Sequence, residues 1–158
     1  MSAIRDDIEK LAAQTDACHE MIAGLNDEEI TARPGPGVWS IAELVMHLMD
    51  CDAMFFDRMR LILTRDDAFL PSFEEDDFTR IMGYNDRDAR LAADAFRANR
   101  LWMADVLRAQ PDSAFLRHGA REGGPDVTVA RLVTMLVAHV DHHATFARGK
   151  RDRLGKPM

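Results

Sequence analysis

Apolar residues recur at spacings of three and four through four long stretches of this chain, and that period, which is a helix's and not a strand's, decides what it can fold into. Ile4, Ile8, Leu11, Thr15, Cys18, Ile22 and Leu25 mark the first stretch, predicted helical from about Ala3 to Leu25, with Gly24 and Asn26 signalling its end. His19 lies beside that stripe, next to Glu20, and reads as a solvated side chain. The second stretch opens on Trp39-Ser40-Ile41-Ala42-Glu43-Leu44: Ser40 is placed as N-cap, Glu43 closes a capping box, and Trp39 is poised to staple onto Leu44. From Ser40 to about Leu63 its inward side carries Leu44, His47, Leu48, Cys51, Phe55, Met59 and Ile62. The third stretch is predicted to begin at an Asn85 cap and to run to Arg108, with Leu91, Ala95, Trp102 and Val106 on its apolar side and Trp102 filling core. Thr128 caps the fourth, Val129 to about Arg153.

The connections complete the pattern. Asn26–Val38 holds a predicted helical turn at Asp27–Thr31 and then Arg33-Pro34-Gly35-Pro36-Gly37, where the chain must reverse. The polar stretch from Thr64 to Tyr84 is too long to lack structure of its own, and Phe73, Phe78 and Ile81 predict a short helix lying across the other helices; its acids Glu74-Glu75-Asp76-Asp77 read as a solvated face. Asp112–Val127 reads as a loop with room for a short hairpin around Glu122-Gly123-Gly124, and with His118 and Arg121 in solvent. Four amphipathic helices and a long crossover imply an all-α four-helix bundle, with residues 1–158 as a single domain. At this length a domain buries roughly 70% of its unfolded surface, so Cys18 and Cys51, both inside helical patterns, are not needed as a staple.

With 27 acidic against 20 basic residues the net charge is −7, which repels phosphate backbones and excludes nucleic acid as main partner. Arg148, Lys150, Arg151, Arg153 and Lys156 form one basic exception; they read either as an anion-binding patch or, preferred here, as cations complementing a helix C-terminus. No apolar run approaches the ~20 residues of a membrane span, and Met1-Ser2-Ala3-Ile4-Arg5-Asp6-Asp7 leads straight into amphipathic sequence, so the expectation is a cytoplasmic protein without membrane contact. Homodimerisation through a helix face is compatible with the pattern, although no single stripe demands it.

Chemistry concentrates in Leu136-Val137-Ala138-His139-Val140-Asp141-His142-His143-Ala144-Thr145-Phe146. His139 and His143 are one turn apart on the stripe of Leu132, Leu136, Val140 and Ala147, so both rings are directed inward. A buried ring nitrogen without a partner costs on the order of 1–3 kcal/mol, and a metal ion satisfies two rings together. His-x-x-x-His alone is a weak signal and needs a third ligand; the other histidine in an apolar pattern in the middle of a long helix is His47. Three histidines leave coordination positions for a reactant, as catalytic sites require. His142, about 60° around the helix from His139 and about 100° from His143, is less able to share the same ion.

Taken together, Trp39-Ser40-Ile41 opening a helix, His47-Leu48 eight residues after Trp39, and His139-Val140-Asp141-His142-His143 near the C-terminus make the chain resemble the DinB/YfiT-like superfamily of bacterial four-helix metalloproteins over essentially its whole length. The resemblance implies metal ligation by His47, His139 and His143. It also implies an activity among those of the superfamily, which include S-transferases and isomerases that use a low-molecular-weight thiol, and metal-dependent hydrolases.

On this reading a divalent ion, zinc or nickel first and iron or manganese next, activates a thiol or water against a small-molecule substrate. Asp50, Asp141 and His142 are candidates to orient a ligand ring or carry a proton, and Arg58 is a candidate contact for an anionic sugar thiol. A non-catalytic metal-binding or stress-response module is the alternative, because Cys51, four residues after His47, could close the site as a fourth ligand. A plain helical interaction domain with three satisfied core histidines is the third reading, and burying three imidazoles together without an ion disfavours it.

Overall fold

Gln14 interrupts what the spacing predicts as one first helix. The computed structural model, which describes residues 2–158, has α1 (Ser2–Ala13) and α2 (Ala17–Ile22) separated by a turn. At that turn the Gln14 side chain points into the bundle and donates to the carbonyl of Val137 and to Asp141. The two pieces still act as one side of the bundle: α1 packs on α6 (Ala89–Arg108) and α7 (Val129–Arg153), and α2 on the same pair and on α4 (Ile41–Thr64). Since α4 also packs on α6 and α7, α6 and α7 flank both of the other sides, and this is the four-helix bundle expected from the sequence.

The capping chemistry reads through from sequence to structure. In α3 (Asp27–Thr31) Asn26 and Glu29 form a reciprocal capping box, and in α4 the Ser40 hydroxyl accepts from the Glu43 amide at 3.1 Å while Glu43 accepts from the Ser40 amide at 2.7 Å. Arg33 holds the same carboxylate through two hydrogen bonds, which fixes the Pro-Gly turn against the start of α4. Thr128 caps α7 as expected.

The third long helix departs from its expectation at both its start and its face. Asn85 does not cap it: Asn85 accepts from the Ser40 hydroxyl and donates to the Thr31 carbonyl, and the cap is Asp88, which accepts from the amides of Arg90 and Leu91. Leu91 and Trp102 lie on the surface, 66% and 56% exposed, while Ala89, Ala93, Phe96, Met103 and Leu107 face inward. The true inward stripe contains Arg100, and a charged residue on a core face hides the stripe from a reading based on hydrophobicity. Arg100 is fully buried because Asp52 of α4, also fully buried, takes two of its hydrogen bonds at 2.6 and 3.0 Å, Gln14 a third and the Leu136 carbonyl a fourth. All four sides of the bundle meet at this one guanidinium.

The crossover between α4 and α6 carries α5 (Glu75–Ile81), the short transverse helix that Phe73 and Phe78 predict, and a two-residue strand, β1 (Phe69–Leu70), that nothing in the sequence announced. β1 pairs in parallel with β2 (His118–Arg121), and β2 with β3 (Val127–Thr128) as the expected hairpin turning at Gly123, so a three-stranded ribbon closes one end of the bundle. Gly119 permits this, since a Cβ there would stand 2.9 Å from the Ile62 side chain and 3.0 Å from the Ala68 carbonyl. No helix among the described residues is long and apolar enough to cross a membrane.

Candidate metal centre

Packing of α4 against α7 decides where the histidines meet. Leu44, Leu48, Val140 and Ala144 belong to one buried cluster, and registering them places the ring of His47 against those of His139 and His143. The Nε2 atom of His139 lies 3.0 Å from Nε2 of His47 and 3.0 Å from Nε2 of His143, and the three ring centroids are 4.5–4.9 Å apart. His47 and His143 are buried at 3% and 8% exposure, and His139 is half-buried. Two nitrogens on one tetrahedral zinc stand roughly 3.3 Å apart, so His139 is close enough to each of the other two rings to share an ion with it.

The protonation states agree with that reading. Burial, aided by His143, lowers the pKa of His47 to about 4. Burial acts likewise on His139, to about 4, with His47, Arg100 and His142 adding to it, and on His143, to about 3, with His139 and His142 adding. All three imidazoles are therefore neutral at pH 7, the form in which they bind a metal. Hydrogen bonding alone is a poor solution for them, because a nitrogen facing two others can donate one proton to one of them only. The outer nitrogen of His143, Nδ1, is buried with no hydrogen-bond partner among the described residues.

A second, overlapping set exists. His47, Cys51 and His139 also have ligand atoms within 4.8 Å of one another. The Cys51 sulfur is 3.7 Å from Nδ1 and 3.8 Å from Nε2 of His47, nearly equidistant, so it lies beside that ring and not ahead of the Nε2 lone pair. Burial, reinforced by Glu75, Asp52 and Asp50, pushes its thiol pKa up and keeps it protonated. The two sets share His47 and His139 and differ in whether His143 or Cys51 is the third member.

Glu75, in a run of acids expected to be a solvated face, also reaches this cluster. On α5, its carboxylate reaches to 3.9 Å from His47 Nε2, and burial, with Asp76 and Glu74 nearby, raises its pKa. The run of four acids concealed it, yet a signal was present: Glu75 shares a helical face with half-buried Phe78 and buried Thr79, three and four residues on. Glu75, Asp76, Trp39, Leu44, His143, Phe146 and Lys150 line an open cleft of about 410 Å³ that reaches the imidazoles at His143. Trp39, half-buried, stands with its ring 5.0 Å from that of His47.

The other singled-out residues are dispersed. His142 is exposed, its ring edge-on to His143 at 5.2 Å and to Phe146 at 4.6 Å. Asp141 is exposed and accepts from Gln14, and Asp50 accepts from the Tyr84 hydroxyl. Arg58 is not at the metal cleft: it stacks over Phe55 and Phe73, donates to the Pro71 carbonyl, and lines a separate cleft of about 520 Å³ beyond α5. Its work there is to pin the crossover. His19 is bonded to Asp94, and His118 is exposed near Asp126.

Comparison with known proteins places the chain in a family. The model of the DinB superfamily matches residues 10–147. A relative from Geobacillus thermodenitrificans, named "Putative metal-dependent hydrolase", is 26% identical over 141 residues, covering 89% of this chain and 79% of its own length. Among solved structures, YfiT from Bacillus subtilis, described as having an unusual four-helix bundle topology, superposes with a TM-score of 0.90 at 18% identity, over 97% of this chain and 88% of that one. A mycothiol-dependent maleylpyruvate isomerase superposes with a TM-score of 0.71 at 12% identity, over 90% of this chain and 59% of that one.

Proposed function

The chain belongs to the DinB superfamily, and from that membership we propose that it is a metal-dependent enzyme acting on a small molecule, with one divalent ion held by His47, His139 and His143. The observation that carries the proposal is the clustering of three neutral imidazoles, with His139 Nε2 3.0 Å from that of each of the other two, beside an open cleft lined by His143. A divalent ion on such ligands supplies Lewis acidity that brings the pKa of a bound water or thiol towards neutrality.

The chain's own residues supply the remainder. Glu75, with its raised pKa and its position over His47, accepts the proton of the attacking nucleophile and returns it to the leaving group. Trp39 and Phe146 give the approach an apolar wall. His142, between His143 and solvent, passes protons outward. Asp141, steadied by Gln14, and Asp50, tied to Tyr84, hold helix positions and do not touch the imidazoles.

Hydrolysis is the preferred reaction, following the name of the Geobacillus relative. Thiol transfer is the second reading, supported by the fold likeness to a mycothiol-dependent isomerase. Zinc or nickel is the favoured ion. The non-catalytic alternative would require Cys51 to close the site, and the position of its sulfur beside the His47 ring favours an open one.

Metal analysis of protein purified without a nickel column tests the site. About one ion per chain is expected in the wild type and in Cys51→Ser, with loss in His47→Ala and His143→Ala, since three ligands act together. Glu75→Gln is expected to keep the ion and lower turnover by roughly a hundredfold, measured against panels of esters and amides and of thiol-accepting electrophiles. Equal metal content in all the variants would remove the histidines from the proposal.

A further inference from the structure

The basic C-terminal stretch of α7 does not act as a uniform patch. Arg151 is buried and donates to the carbonyls of Met21 and Ala23, closing the end of α2, and Lys156 pairs with Glu29. Lys150 is used differently. Among the described residues its ammonium makes no hydrogen bond and no ion pair, although it is half-buried and lines the cleft that reaches the histidines at His143.

The cleft is arranged along α7. His143 is at its floor, Phe146 one turn up and Lys150 two turns up, so the ammonium-bearing residue lies roughly 10 Å along the axis from the metal-facing ring. Val38, Trp39, Leu44 and Phe146 make the intervening wall apolar. The opposite lip carries Glu75 and Asp76, which repel an anion, and Glu75 sits at the inner end beside His47. Lys150 is thus the cation at the outer end of the cleft. Burial first and Arg153 second disfavour the charged form of Lys150; Arg153 adds to the positive potential there, and Glu43, whose carboxylate is bonded to Arg33, only partly offsets it.

We propose that Lys150 forms an anion subsite, so that the substrate is an elongated, mainly apolar molecule bearing a carboxylate at the end remote from the group presented to the histidines. This rests on the metal-centre reading and extends it to substrate class. A partly desolvated ammonium–carboxylate hydrogen bond contributes more than an exposed one, and the charge asymmetry of the cleft fixes which end of the substrate enters first.

The test uses zinc-loaded protein and two probes: suberic acid monohydroxamate, whose hydroxamate is a metal-binding group and whose tail ends in a carboxylate, and its methyl ester, which is identical but uncharged. Calorimetric titration is expected to show the acid binding about tenfold more tightly than the ester in the wild type. The preference is expected to vanish in Lys150→Gln through weaker binding of the acid alone, and to persist in Lys150→Arg. Equal binding of both probes to the wild type would overturn the subsite and leave the metal centre standing. A preference surviving Lys150→Gln would likewise overturn the assignment to Lys150. Failure of both probes to bind metal-loaded protein would overturn the metal-centre reading beneath it.

Discussion

Three crowded imidazoles, with His139 3.0 Å from each of the other two, are held neutral by their surroundings, and this has a consequence for acid stability. In the unfolded chain each histidine takes a proton near pH 6.5, whereas in the metal-free folded chain His47 and His139 resist until about pH 4 and His143 until about pH 3. Between those limits the unfolded state binds more protons, so stability is complete above about pH 6.5 and falls as the pH drops towards 4. Urea midpoints in the presence of a chelator are expected to decline from pH 7 to pH 5, and the decline should flatten in a variant with His47, His139 and His143 all changed to Gln. At this scale the candidate site was legible where a polar residue interrupts an apolar period, which is how His47, His139 and His143 stand out. Glu75 was not legible, because its neighbours Glu74, Asp76 and Asp77 give every acid in the run the same solvated appearance.

Elements owe their register to a few polar anchors. The second long helix was readable to its first residue because a capping box and a flanking tryptophan announce it within six positions, and every part of that signal is local. The face of α6 was not readable, because the residue at its centre is charged and is neutralised by a partner forty-eight positions away. That pair yields a sharp expectation. Arg100→Met strands the carboxylate of Asp52 in the core and should cost about 3–5 kcal/mol, while adding Asp52→Leu should recover most of the loss. Chemical denaturation of the two variants checks it, and equal stability of single and double variants would show that Asp52 is not the group that suffers. The hairpin of β2 and β3 was legible from its glycine turn, but β1 was not, for a related reason: a strand of two residues carries too few positions for a period, and its pairing with β2 spans about fifty residues of chain.

At the scale of the whole molecule, the bundle assembles its site from segments far apart in sequence. His47 and His139 are separated by 92 positions, and α5 reaches the same spot from the crossover between α4 and α6. The long helices and their order follow from the sequence; the seating of α5 over the histidines depends on Arg58, Phe55 and Phe73 meeting across the crossover, which no local pattern specifies.

A divalent ion gripped by α4 and α7 would also be a removable cross-link. By analogy with a disulfide closing a loop of about a hundred residues, such a tie would stabilise the fold by about 4–5 kcal/mol, and the melting temperature should rise on titration with zinc and fall back with EDTA. A cell short of that ion would then hold a looser chain, more open to proteases. The lifetime of the protein would follow the metal supply even where no substrate is present.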